Sequence, residues 1–203
     1  MILIDWSISI MNSDTTKNRI IQKGAELVYL KGFNNTGIQE VLQAAEVPRG
    51  SFYFYFKNKE EFGLCLVDYF SSFIVSIAQK QMQQGAADPV EGLKNFFNMY
   101  IGLMNKQNFT CGCPIGNIAQ EMSDLSDSFR NRIAGFFDQA KSMIQACIME
   151  AQKTGRVGPD KDPAELSDFI FNSWEGALID MKVTKSSRPL DVFMNTVFGL
   201  LLK

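Results

Sequence analysis

Apolar positions along this chain recur at helical spacing, and strand-like alternation is hard to find. From Thr16 to Lys31, the residues Ile20, Ile21, Gly24, Leu27 and Val28 share one face, and Gly32 follows as a stop. A short second helix is expected from about Thr36 to Ala45, with Ile38, Val41, Leu42 and Ala45 apolar. Glu46-Val47-Pro48 breaks it, and a third short helix covers Arg49 to Phe56. Asn58 reads as the N-cap of a fourth helix to about Gln83, with Glu60 and Glu61 where the helix dipole favours acids.

The rest of the chain follows the same logic. Gly85-Ala86-Ala87 is a loop. Asp88-Pro89-Val90-Glu91 and Asp162-Pro163-Ala164-Glu165 share one start signature: a capping acid, Pro at the first helical position, Glu two residues on. Between them are predicted a helix to about Lys106, a Cys-Gly-Cys-Pro turn, a short helix from Ile115 to Met122 and a long one from Ser126 to Thr154. Phe129, Ile133, Phe136, Phe137, Ala140, Ile144, Cys147 and Ile148 line the long helix, and Gly155 ends it. Two more helices are expected, at about 163–182 and 189–202. The reading is an all-α protein of about nine helices. Residues 1–14 are read as disordered or as an extension, 15–61 as a compact head of short helices, and 62–203 as a body of longer, more apolar ones.

Composition adds limits. Of 203 residues, 46% are hydrophobic and 21% charged, ordinary for a folded protein, and 17 Phe with 10 Met can build an adaptable apolar interior. The net charge of −2 carries no nucleic-acid signature. Residues 15–61 hold seven Lys/Arg against five Asp/Glu, and residues 62–203 hold 13 against 15, so the bias toward a basic head is slight. No His is present, which removes the commonest general base and metal ligand. No metal and no cofactor are expected, and no nucleophile–base pair or phosphate loop points to an enzyme. Cys65, Cys111, Cys113 and Cys147 do not suggest a disulfide framework in a chain with a full core and no recognisable leader. With no apolar run of about 20 residues to span a bilayer, a cytoplasmic location is expected.

Gly37 to Glu61 is the informative segment. Two short helices joined by a tight turn match the helix-turn-helix pattern, with Ala44 and Ala45 small for close crossing and Val47 as apolar plug. In the third helix, Phe52 and Phe56 are four apart and can face a core, while Ser51, Tyr53 and Tyr55 project outward toward phosphates and base edges. The run Gly50-Ser51-Phe52-Tyr53-Phe54-Tyr55-Phe56-Lys57-Asn58-Lys59-Glu60, with Gly32-Phe33-Asn34-Asn35-Thr36 upstream, resembles the DNA-binding head of the TetR family of repressors over about residues 15–65. Beyond the head the likeness is in helix count and length.

The resemblance implies a homodimer on a palindromic double-stranded operator, released by a small-molecule effector. It implies that Thr36 caps the second helix and touches phosphate, and that Gln39 approaches bases. Arg49, Gly50 and Ser51 would meet bases and backbone, Tyr53 and Tyr55 would hold phosphate or thymine methyls, and Lys59 would bind phosphate. Two positions depart from the family pattern. Glu46 stands where many relatives have Gly, so it faces the DNA side of the turn or bears a strained backbone. Pro48 replaces a frequent Ser.

In this family the last two helices of each chain form the dimer interface. Here that places Phe171 and Leu178 of the penultimate helix in the contact, with Phe193, Val197, Phe198 and Leu201 of a terminal helix apolar nearly all round. The effector enters the helical body, with Phe97, Tyr100, Met104, Cys113, Ile118, Phe137, Trp174 and Leu178 as candidate lining; each is equally compatible with plain core. Glu121 and Glu175 are the acids best placed to face inward, against a solvated reading for both. Cys111-Gly112-Cys113 admits three readings: a turn with buried thiols, a thiol sensor of oxidants or electrophiles, or a metal site, the last poor without His. The rival from another class is an all-α binding protein or enzyme with a vestigial helix-turn-helix.

Overall fold

The computed structural model describes residues 15–84 and 88–203. The expected extension at 1–14 and the loop at 85–87 lie outside them. Among the described residues there are nine α-helices and no strands: α1 (Thr16–Lys31), α2 (Ile38–Ala44), α3 (Phe52–Tyr55, led by a 3-10 turn at Arg49–Ser51), α4 (Lys59–Gln84), α5 (Pro89–Lys106), α6 (Pro114–Met122), α7 (Asp127–Lys153), α8 (Pro163–Thr184) and α9 (Arg188–Thr196, continued by a π-helical turn at Val197–Leu201).

The helices begin and end for identifiable reasons. Thr15 caps α1 by accepting from Asn18 N–H. Asn58 Oδ1 accepts from Glu61 N–H at 2.8 Å, and Glu61 reaches back to Lys57 N–H at 2.7 Å, a reciprocal cap at the start of α4. Asp88 caps α5 through Val90 N–H, and Asp162 caps α8 through the N–H groups of Ala164 and Glu165. Each removes orphan donors from a helix start. Gly155, at φ 73°, stops α7.

The described chain divides into two compact units. The first runs to Ile74 and includes Pro114–Ala134; the second is Val75–Cys113 with Gly135–Lys203. The 15–61 head expected from sequence falls inside the first unit, which continues into α4 and takes in α6. Its core is a knot of rings: Phe52, Phe56 and Phe62 lie 5.1–5.6 Å apart between centroids, and Phe33 sits 5.1 Å from Phe129. A Cβ on Gly24 would lie 2.2 Å from the Phe62 ring, so only glycine lets α1 pass this close.

In the second unit, α8 packs on α9, and α5 also meets α9. Phe97 stands 4.8 Å from Trp174 and 4.9 Å from Phe193, and Tyr100 packs edge-on to Trp174 at 5.6 Å. The α7–α8 loop is tied down by Gln152 Nε2, which donates to the carbonyls of Gly158 and Lys161 at 2.9 and 2.8 Å.

One expectation changes. By length and composition alone, α4 could cross a membrane, with a mean hydropathy of 1.5 over its most apolar stretch. Its apolar residues are used otherwise: Phe62, Leu66, Val67, Tyr69, Phe70 and Phe73 are all buried within the fold.

Candidate nucleic-acid interface and ligand site

The head presents α3 outward by burying one side of a very aromatic segment. Phe52 and Phe56 are 0% and 1% exposed, while Tyr53 and Phe54 are 68% and 83% exposed. Large apolar groups left this open on a well-packed unit mark a contact surface. Phe54 was not among the sequence candidates. The signal that could have found it is the i, i+4 spacing of Phe52 and Phe56, which turns Phe54 away from the core they occupy. Gln39, Arg49 and Gly50 are exposed, and Ser51 and Tyr55 are half-buried. The turn before α3 carries the strain expected of Glu46, whose φ is 55°, in the left-handed region that favours glycine.

Thr36 and Lys59, the expected phosphate contacts, have hydrogen-bond partners within the head. Thr36 does not cap α2; the N-cap is Gly37, which offers no side chain. Thr36 is instead 2% exposed and donates its hydroxyl to Gly32 O at 2.7 Å. A buried hydroxyl needs a partner, and the nearest is the carbonyl left open at the end of α1. Lys59 also turns inward. Its ammonium donates to Asn34 O at 3.2 Å and lies 4.8 Å from the centre of the Phe33 ring. Burial pushes its pKa below the usual lysine range, and Glu121 pulls it back up.

Glu121, on α6, organises the same loop. Its carboxylate accepts from Phe33 N–H at 3.0 Å and from Asn34 N–H at 2.8 Å. These donors follow α1 and have no helical partner, and a carboxylate gripping both makes two charge-assisted bonds. Glu121 therefore faces the protein, as one of its two sequence readings had it.

In the second unit, Phe97, Tyr100, Met104, Cys113, Trp174 and Leu178 are all buried and Phe137 is half-buried. Ile118 belongs to the first unit. Phe97, Tyr100 and Trp174 form one aromatic cluster, completed by Phe193. The Cys-Gly-Cys turn packs beneath α8. A Cβ on Gly112 would lie 3.1 Å from the Lys182 side chain and 3.9 Å from Leu178, and Tyr100 donates to Gly112 O at 3.2 Å. The approach is unusual in its backbone: Asn108, Phe109, Cys111 and Gly112 all have φ between 54° and 73°. Burial pushes the Glu175 carboxyl up to about 7, opposed by the hydrogen bond it accepts from the Cys113 thiol. Cys147 donates to Pro89 O at 2.9 Å, and burial raises its thiol to about 12. Among the described residues, no group of three or more His, Cys, Asp or Glu gathers to hold a metal.

The expected interface residues are largely buried within the chain itself. Phe171, Leu178, Phe193 and Val197 are 1–6% exposed. Phe193 packs on Phe97 and Trp174, and Phe171 lies 4.8 Å from Phe137. Phe198 and Leu201 are half-buried. Apolar residues all round a helix announce cover on every side but do not say which side its own chain supplies. The open apolar face consists instead of Phe169, Ile179, Val183, Val192 and Leu200, between 46% and 78% exposed. Beside it, a groove of about 780 Å³ runs between α8 and α9 over Gly176, Ala177 and Pro189.

An all-α chain whose helix-turn-helix exposes the aromatic rings of its third helix has the form of a helix-turn-helix transcription regulator. The pattern of bacterial regulatory proteins of the tetR family matches residues 20–62, and that of the tetracyclin repressor-like C-terminal domain matches residues 89–197. Over 186 residues the chain is 36% identical to the HTH-type transcriptional repressor DhaR of Mycobacterium sp. strain GP1, covering 92% of each. It is 34% identical to the transcriptional regulator AcuR of Cereibacter sphaeroides, covering 89% of this chain and 82% of that one. A crystal structure of regulatory protein TetR from Rhodobacter sphaeroides superposes with a TM-score of 0.83 at 33% identity, over 89% of this chain and 96% of that one. The chain belongs to the TetR family and is a DNA-binding transcriptional regulator.

Proposed function

We propose that the protein is a homodimeric cytoplasmic repressor that holds a palindromic operator through α3 and leaves it when a small apolar or aromatic molecule enters the second unit. The observation that carries the DNA-reading face is the exposure of Tyr53 and Phe54 on a helix whose other side is core. Tyr53, with Gln39, Arg49, Gly50, Ser51 and Tyr55, supplies contacts to phosphates and base edges, and Phe54 supplies an apolar surface for thymine methyls. One head reads few base pairs, so two must act about 34 Å apart, one turn of the double helix. The open face of α8 and α9 supports the pairing of two copies. The aromatic cluster of Phe97, Tyr100 and Trp174 supports an apolar effector. An effector acts by binding the DNA-incompetent arrangement more tightly than the competent one.

The test is fluorescence anisotropy on the chain's own upstream region across a salt series. Tyr53→Ala and Phe54→Ala, both at exposed positions, are expected to weaken specific binding at least tenfold while leaving the thermal transition in place. Specific binding at full strength in both variants would remove α3 as the reading helix. A second reading, regulation through the thiols of Cys111 and Cys113, is favoured by the hydrogen bond from Cys113 to Glu175.

A further inference from the structure

We propose that Cys113 and Glu175 form an acid–base pair in which the carboxylate accepts the thiol proton while the sulfur adds to a small conjugated carbonyl compound. The proposal rests on the second reading above and deepens it, naming the residue that activates the thiol and the class of molecule that reacts.

The geometry comes from two elements of one unit. Cys113 follows a backbone whose left-handed residues, Cys111 and Gly112, place the turn against α8. Glu175, Leu178 and Lys182 recur three and four residues apart on α8, so one face of that helix carries the carboxylate and the side chains that pack on Gly112. The Cys113 thiol donates to the Glu175 carboxylate. Tyr100 fixes the turn from the other side through Gly112 O. Of the ionisable groups on these elements, Tyr100 on α5 donates to Gly112 O and the Lys182 side chain on α8 packs on Gly112.

A thiol with no base nearby reacts through its scarce thiolate; one hydrogen-bonded to a carboxylate can lose its proton as the new bond forms. The balance is simple. Sulfur bonds to the β-carbon of the conjugated carbonyl, and the carbon–carbon π pair moves to the α-carbon. The thiol proton passes to Glu175 and then to the α-carbon, giving a neutral thioether and returning the carboxylate. No oxidant is needed. Cys113 is 7% exposed, so the reagent must be small. A neutral apolar enone also suits the ring cluster of Phe97, Tyr100 and Trp174. Cys65 and Cys147 are poor competitors, because burial raises both thiols.

Methyl vinyl ketone and the full-length protein provide the test, with intact-mass and peptide mass spectrometry from pH 5.5 to 9. The first adduct is expected on Cys113, at a rate that climbs as Glu175 ionises near pH 7. Glu175→Gln should slow that adduct at least tenfold at pH 7.5 and move the rise to the range of an ordinary thiol. Glu175→Asp should restore part of the rate. Cys113→Ser should remove the adduct, and each variant should keep its helical circular dichroism. Glu175→Gln reacting at the parental rate with the parental pH profile would overturn the pair, as would first labelling at Cys111. Operator binding separates the two levels. An adduct that forms as expected but leaves DNA binding intact keeps the pair and removes its regulatory role. Release by an unreactive ligand, with no methyl vinyl ketone adduct forming on Cys113, keeps the effector site and removes the pair.

Discussion

The link between α1 and α2 offers a quantitative test, because Gly32 and Glu121 depend on each other. Gly32 sits at φ 88° and ψ 161°, a region open to glycine almost alone. A Cβ there would also lie 2.6 Å from Glu121 Oε1 and 3.2 Å from its Cδ. The carboxylate is the end of a flexible side chain and can swing away, but only by releasing Phe33 N–H and Asn34 N–H. Glu121→Ala loses both bonds directly. Bonds to a charged acceptor contribute about 1.5–3 kcal/mol each. The Asn34 donor is exposed and recovers water, whereas the Phe33 donor is part-buried and does not fully. The expected loss for Glu121→Ala is therefore about 2 kcal/mol. Gly32→Ala should cost about 1–3 kcal/mol in backbone strain, plus the same clamp.

The double variant then discriminates. With no carboxylate to displace, the added methyl costs strain alone, so the double variant should be about as unstable as Gly32→Ala. It should fall short of the sum of the single variants by about 2 kcal/mol, the clamp counted once rather than twice. Urea unfolding of all four proteins measures this, provided the slopes agree so that midpoints report stability. Additivity within about 0.5 kcal/mol would refute the reasoning, because it would mean that Gly32 is needed for its backbone alone and the carboxylate never has to move.

Five further outcomes follow from the same structure. Val183→Asp, at a position 78% exposed on α8, should yield a folded monomer in sedimentation with weakened operator binding; a dimer of parental affinity would exclude that face. Phe193→Asp should instead unfold the second unit, since its ring is packed on Phe97 and Trp174. Glu175 sets a pH dependence: its carboxyl is raised to about 7 in the fold from 4.5, so it costs nothing below pH 4.5 and progressively destabilises the fold as pH climbs to about 7. That cost is at most on the order of 3 kcal/mol, and Glu175→Gln should flatten stability across this window in urea titrations; an unchanged slope would count against it. Lys59→Ala should lower stability with little change in the salt dependence of DNA binding, because its ammonium is held by Asn34 O and the Phe33 ring. Lys57 is exposed two residues earlier, and Lys57→Ala is expected to reduce the salt slope by about one.

The helices were legible in the sequence because their ends carry their own chemistry. Asp88, Asp162 and Asn58 each accept the N–H bonds that their position before an acid-bearing first turn implies. Gly32 and Gly155 stop α1 and α7 with positive φ. The packing of α9 was not legible in the same way. Its apolar residues run all round, and only the aromatic cluster on α5 and α8 decides that Phe193 and Val197 turn inward while Val192 and Leu200 stay open.

The head shows why a family motif locates a site better than it assigns its members. Burial of Phe52 and of Phe56, the residue that ends α3, leaves Tyr53 and Phe54 on the outward side. Thr36 and Lys59 carry no such constraint. Each bears a group that suits a phosphate equally well as a carbonyl, and the carbonyls of Gly32 and Asn34 are already there when no DNA is. The chain left open between α1 and α2 needs satisfying in the free protein, so Thr36, Lys59 and Glu121 close around it and hold α2 in place. The contacts proposed for DNA, Tyr53 and Phe54 on α3 with Arg49 ahead of it and Gln39 on α2, are exposed in the free protein. A recognition surface is built from side chains that the fold does not need, and in this head those are the exposed ones next to the rings that it does.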